Sequence, residues 1–159
     1  MSYEVEKKQH NLDIGQALSI DLGTADNLAA CVDTLRHSLL IDARAMKAMN
    51  QLWNKKVSTK KEGKSEGYWD NWLDRVTRKR NNQMRDGVNK AAKLIVNRLK
   101  YAIGRLVIGW NQGFKANTNL CKVNNHKFVQ MPLGKLQDRL KQLCDLHGIR
   151  LKETEEAYR

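Results

Sequence analysis

The stretch ALSIDLGTADNLAACV, residues 17–32, constrains the chain more than any other. Leu18, Ile20 and Leu22 alternate with Ser19, Asp21 and Gly23, which is the two-residue period of a strand. Leu28, Ala30 and Val32 repeat the period. The polar Thr24-Ala25-Asp26 between the two runs predicts a β-hairpin, with Asp26 as a turn residue. Asp21 therefore stands mid-strand, just before a glycine. Either its face meets water, or its carboxylate holds a metal.

The elements that follow extend this hairpin into a sheet. Ser38 to Ile41 reads as a third short strand. Ala43, Met46, Met49 and Trp53 then fall at helical spacing, with Asp42 placed to cap that helix. VSTKKEGKSEG, residues 57–67, reads as a polar loop with two glycines. Trp69, Trp72, Leu73 and Val76 form one apolar stripe. After TRKRNNQ a second follows, made of Met84, Val88, Ala91, Ala92, Ile95, Leu99, Ala102 and Ile103. The two fit one long helix or a hairpin of two. RLVIGWN predicts a buried strand ending at Gly109, followed by a polar loop from Asn111 to Gln130. Pro132 suits a first helical turn. Leu133, Leu136, Leu140, Leu143 and Cys144 repeat at helical spacing, and Gly148 is a stop. A last strand around Ile149 and Leu151 completes a strand–helix–strand unit, which requires parallel pairing and a right-handed crossover. The order resembles the α/β ribonuclease-H-like plan: a mixed five-stranded sheet with a long helical insertion, lacking its final helix.

A chain of 159 residues is long enough for one domain with a real core. At a mean hydropathy of -0.67 it has no run that is long and apolar enough to span a bilayer. Its N-terminus lacks an apolar signal core, so a cytoplasmic location without membrane attachment is expected. Cys31, Cys121 and Cys144 are odd in number and widely spaced, which supports neither a zinc site nor a disulfide framework. The net charge of +12 is unevenly spread. Residues 1–60 carry eight basic and seven acidic side chains, whereas residues 61–152 carry twenty against seven. A basic excess confined to one stretch points to a polyanion, most often nucleic acid. Arg75, Arg78, Lys79, Arg80 and Arg85 are the candidates to follow a phosphate backbone; an exposed helix face is the plainer reading. Trp69 and Trp72 could stack on bases, but their spacing with Leu73 and Val76 fits core packing better. His126 and His147 have no ligand partners at suggestive spacing and read as surface residues.

A carboxylate in the central strand of such a sheet projects toward the rim where ligands bind. Two hard cations held by several acids there can activate water and stabilise the leaving oxygen of a phosphodiester. The fourth strand ends in Gly109 and supplies no acid. The fifth ends in KETEEAYR, so Glu155 or Glu156 could lean across Gly109 toward Asp21. Strands lie about 4.8 Å apart, and because neighbours alternate only one of the two glutamates can face the site. An exposed acidic tail is the alternative.

SIDLGTADNLAA, LLIDARAMKAMNQLWNKK, RKRNNQMRD, LVIGWNQGFK, NNHKFVQMPLGKLQDRLKQLCDLHGI and ETEEAY occur in an order resembling the OrfB/TnpB family. These are transposon-encoded proteins with a RuvC-like nuclease domain, similar to the type V CRISPR effectors. The resemblance implies an RNA-guided, magnesium-dependent DNA endonuclease with a two-metal site, and so DNA and a guide RNA as partners. It implies that Asp21 matches the first RuvC acid and that the basic stretch, with Lys115, holds nucleic acid. The usual second acid falls where this chain has Gly109. A branch with a GWN or GYN signature resembles this chain, and its TEES segment would favour Glu155 or Glu156 as a displaced acid. The third acid, the cysteine zinc element and the N-terminal recognition domain have no counterpart in these residues. The expected organisation is the end of an N-terminal domain over 1–12, a first RuvC-like segment over 13–56, a basic helical segment over 57–104 and a second RuvC-like segment over 105–159. A chain with these departures is expected to cut weakly or not at all. The alternatives are a non-catalytic nucleic-acid binder and a decayed reading frame.

Overall fold

The computed structural model describes residues 4, 6, 11–23, 26–99, 103–110 and 131–155. The elements run β1 (Asp13–Leu22), β2 (Asn27–Asp33), β3 (Ser38–Asp42), α1 (Arg44–Lys61), α2 (Asn71–Leu99), β4 (Ile103–Trp110), α3 (Leu133–His147) and β5 (Arg150–Glu155). One five-stranded sheet has the order β3-β2-β1-β4-β5, with β1 central. The β1–β2 and β2–β3 pairs are antiparallel; β1–β4 and β4–β5 are parallel. The expected strand–helix–strand unit is thus present as β4-α3-β5.

Alternation decides which side of the sheet is dry. Leu18, Ile20, Cys31, Leu106 and Ile108 are at most 1% exposed. They pack under Met84, Val88, Ala91, Ala92, Ile95 and Val96 of α2 and under Leu136, Leu140 and Cys144 of α3. Each fully buried Leu or Ile contributes about 1.5–3 kcal/mol. Their strand neighbours Ser19, Asp21, Lys152 and Thr154 are exposed, as are Val32 and Leu40. All three helices therefore lie on one face of the sheet.

Several local expectations change. Residues 57–61 belong to α1, not to a loop. Val, Ser and Thr favour helix poorly, but Lys60 pairs with Asp70 at 3.4 Å and lies over the Trp72 ring, which ties that end of α1 to α2. The two apolar stripes belong to a single helix, α2, unbroken through TRKRNNQ. Trp69 is not part of it: it precedes the helix and is 48% exposed. The cause is Asp70, whose carboxylate accepts the Leu73 N–H at 2.8 Å and caps the helix there. Trp72 is half-buried, closer to the packing role. Ile103 opens β4 instead of extending the helical stripe; Ala102 lies outside the described residues. His147 is half-buried at the end of α3 and makes contacts there, so it is not simply a surface residue.

Other local expectations hold. The Asp42 carboxylate accepts the Arg44 N–H at 2.7 Å at the start of α1. Gly148 ends α3 in the left-handed conformation at φ 71°. The loop at 111–130, with Cys121 and His126, lies outside the described residues.

Candidate metal and nucleic-acid site

The register around Asp21 defines the candidate site. Asp21 pairs with Ala30 of β2 on one side and with Gly109 of β4 on the other, and Gly109 pairs with Thr154 of β5. Asp21, Gly109 and Thr154 thus form one row at the carboxyl rim of three parallel strands. Asp21 is exposed on the face away from the helices, and Gly109 places no side chain between it and β5. Glu155 stands one step beyond that row, opposite Trp110. Glu156 lies outside the described residues.

The other acids of this region are already engaged. The Asp26 carboxylate pairs with Lys47 Nζ at 3.0 Å and Asp42 with the Arg44 guanidinium at 2.6 Å. Glu153 accepts a hydrogen bond from Gln137 Nε2 at 2.6 Å and pairs with Lys141 at 2.6 Å, both on α3. Among the described residues no three or more His, Cys, Asp or Glu side chains gather into a metal cage. Asp21 is the one carboxylate among them that the row presents without such a partner; Thr154 stands level with it two strands away. An exposed, unpaired carboxylate suits a hard, oxygen-preferring cation, as one ligand of a partial set.

The basic stretch divides in two. Arg78 is held by Asp74 at 2.6 Å and Lys90 by Asp86 at 2.7 Å, on the solvent side of α2. Arg75 and Lys79 are exposed. Arg80 is half-buried: its Nε donates to Asn50 Oδ1 at 2.7 Å, and its guanidinium lies 4.8 Å from the Trp53 ring centre. Arg80 and Arg85 face α3 across a groove that also takes Lys135 and Arg139. Those two α3 cations were not among the candidates. Their spacing of four on one helix face, next to Gln142, is the signal that could have shown them. Lys115 lies outside the described residues.

A buried carboxylate at the end of β2 was also missed. Asp33 is 7% exposed and accepts the His37 N–H at 2.8 Å, with His37 Nδ1 at 3.1 Å. Burial pushes this carboxyl up, but the backbone and imidazole bonds of His37 outweigh it and hold it below its ordinary 3.8. Asp42, bonded to Arg44, and Glu153, bonded to Lys141, are held down as well. Folded values below the unfolded ones give stability that is complete above the ordinary carboxylate range and is lost as pH falls through the folded values. Acid melting followed by circular dichroism is therefore expected to begin as pH falls below the ordinary carboxylate range. In His37→Ala the onset moves to higher pH. Cys31 and Cys144 are free and buried, and burial pushes their thiols up to about 11 and about 12. They are protonated and unreactive.

The chain is similar to the protein in a cryo-EM structure of a CRISPR-Cas12f ternary complex, with a TM-score of 0.70 and 14% identity, over 99% of this chain and 32% of that one. It is also similar to the protein in a Cas12f1-sgRNA-target DNA complex, with a TM-score of 0.67 and 13% identity, over 95% of this chain and 31% of that one. The chain thus spans about a third of the length of these structures. The fold they share with it is ribonuclease-H-like, as the strand order implies. No curated protein matches. Residues 1–112 match the family model OrfB_IS605, described as "Probable transposase". The chain belongs to that TnpB-like family. Among the described residues no helix is long and apolar enough to cross a membrane.

Proposed function

We propose that this chain carries the RuvC-like part of a metal-dependent DNA endonuclease directed by a guide RNA. The observation that supports this most is the row Asp21–Gly109–Thr154 at the rim of the parallel strands. Asp21 would ligate magnesium, with Glu155 or Glu156 reaching in past Gly109 as the second acid. Such an ion would supply the activation of water and the stabilisation of the leaving oxygen of a phosphodiester. The chain's own residues position that chemistry: β1 fixes Asp21 between two hydrogen-bonded neighbours, and Gly109 leaves room for the substrate strand. The Cas12f1 assembly that the fold resembles holds an sgRNA and target DNA, and the basic face of α2 suits such partners here. Cutting by this chain alone is expected to be slow or absent, because Asp21 and one glutamate would leave a two-metal site incomplete.

Metal binding is the direct test. In an amide NMR spectrum, Mn²⁺ is expected to broaden Asp21, Ala30, Gly109 and Thr154 first, and Asp21→Asn is expected to remove that pattern. Glu155→Gln and Glu156→Gln, made separately, identify the second ligand as the variant that weakens the broadening. Supercoiled plasmid with Mg²⁺ or Mn²⁺ reports cutting, and any nicking should fall to background in Asp21→Asn. Broadening centred elsewhere, or unchanged by Asp21→Asn, overturns the assignment. Salt-sensitive retention of nucleic acid with no metal-dependent nicking would favour the second reading, a binder that does not cut, which the basic α2 surface also supports.

A further inference from the structure

We infer that the groove between α2 and α3 is a binding site for a phosphate group, supplied by the backbone of a nucleic-acid strand. This rests on the nucleic-acid reading above and adds a specific site to it. The groove encloses about 260 Å³ and is lined by Arg80 and Arg85 of α2 and by Lys135 and Arg139 of α3. Asp138 is the one carboxylate in the lining, so four cations face one acid. Elsewhere on α2 the cations Arg78 and Lys90 are neutralised by Asp74 and Asp86. Among the described residues none of the four groove cations has a carboxylate within ion-pair distance. Asp138 offsets their mutual repulsion only in part, so an entering anion would relieve it further.

Two of the four are arranged in advance. Arg80 is braced by Asn50 at 2.7 Å, by Asn81 at 2.8 Å and by the Trp53 ring, so its guanidinium loses little freedom on binding. Arg139 donates from Nη1 to Gln142 Oε1 at 2.9 Å, but its Nε is shielded from water and has no acceptor. A small turn of that guanidinium onto an anion would satisfy the unmet donor. At the mouth of the groove, beside Pro132, the first turn of α3 has no side-chain cap and no acidic residue, which leaves the positive end of the helix open to an anion.

Leu133, the first residue of α3, packs on Gly23, where an added Cβ would lie 2.7 Å from Leu133 Cδ1. Gly23 is two residues past Asp21, so the first turn of α3 stands at the same end of the sheet as the rim, on the opposite face. Paired guanidinium forks and neighbouring amides suit a tetrahedral oxyanion.

The test compares Lys135→Gln/Arg139→Gln with Lys55→Gln/Lys56→Gln, which removes the same charge from the exposed surface of α1. Binding of a short DNA duplex and of an RNA oligonucleotide is measured against salt, and inorganic phosphate is titrated by amide NMR. In the groove variant the slope of log affinity against log salt is expected to fall by about one, and affinity severalfold, with the circular-dichroism spectrum unchanged. Phosphate is expected to shift groove amides in the wild type and not in the variant. An equal loss in the α1 variant overturns the groove in favour of general charge. Phosphate shifts lost in the groove variant, with the salt slope intact, overturn the backbone source and leave a free-phosphate site. Nucleic-acid binding that the groove variant leaves unchanged, without phosphate shifts, overturns the groove alone. No nucleic-acid binding by the wild type overturns the wider reading.

Discussion

Gly104→Val is expected to leave the chain without a stable fold. Gly104 is the second residue of β4, where β4 runs parallel to the start of β1. A Cβ added there would lie 2.8 Å from the Asp13 carbonyl oxygen, 2.9 Å from its carbon and 3.0 Å from the Ile14 nitrogen. All three are backbone atoms, so no flexible side chain can move aside. The two strands must separate, and Asp13 with Ile103 loses its pairing. Overpacking of a tight core commonly costs about 1–3 kcal/mol. Here the strain falls on the central strand pair, and valine adds two further methyl groups to the clash. A domain typically holds about 5–15 kcal/mol in all, so loss of cooperative melting by circular dichroism is the expected outcome. Gly104→Ala should show the same defect in milder form. A valine variant that melts like the wild type would mean that β1 and β4 do not approach as described.

That close approach shows where sequence reading stops. The central strand, the parallel unit and the absence of an acid at Gly109 were all legible, because they depend on period, order and residue type. The need for glycine at 104 was not, since it arises from a strand ninety residues away in the chain. The far end of α1 failed for a similar reason. Residues 57–61 look like a loop by local propensity, whereas in the fold Lys60 meets Asp70 and Trp72 and Lys61 lies over Trp69, contacts that the local sequence does not show. Trp69 fits the spacing of α2 as well as Trp72 does, and periodicity cannot detect that Asp70 caps the helix between them. At the candidate site, Asp21 could be singled out because a carboxylate in mid-strand is unusual. Lys135 and Arg139 could not, because a cation on a helix acquires meaning only when another helix brings its own cations opposite.

Leu106→Ala is expected to destabilise the chain by about 2–5 kcal/mol, and Leu40→Ser by no more than about 0.5 kcal/mol. Both leucines are in the same sheet, and a view of strands as uniformly apolar would make them equivalent. Leu106 is 0% exposed in β4, paired with Leu18 and Leu151 on the side covered by α2 and α3. Truncation there removes transfer free energy and leaves a cavity that a sheet clamped by two helices cannot collapse. At roughly 2–4 °C per kcal/mol for a chain of this size, the melting temperature should drop by about 4–20 °C. Leu40 is 64% exposed and pairs with Ala30, in the row that continues to Asp21. Serine there removes apolar surface that water already reaches. The contrast measures the one-sidedness of the sheet, on which the exposure of Asp21 depends. If Leu40→Ser proved as damaging as Leu106→Ala, the Asp21 face would be packed against protein in solution, and a carboxylate on it could not meet a hydrated cation and a phosphodiester.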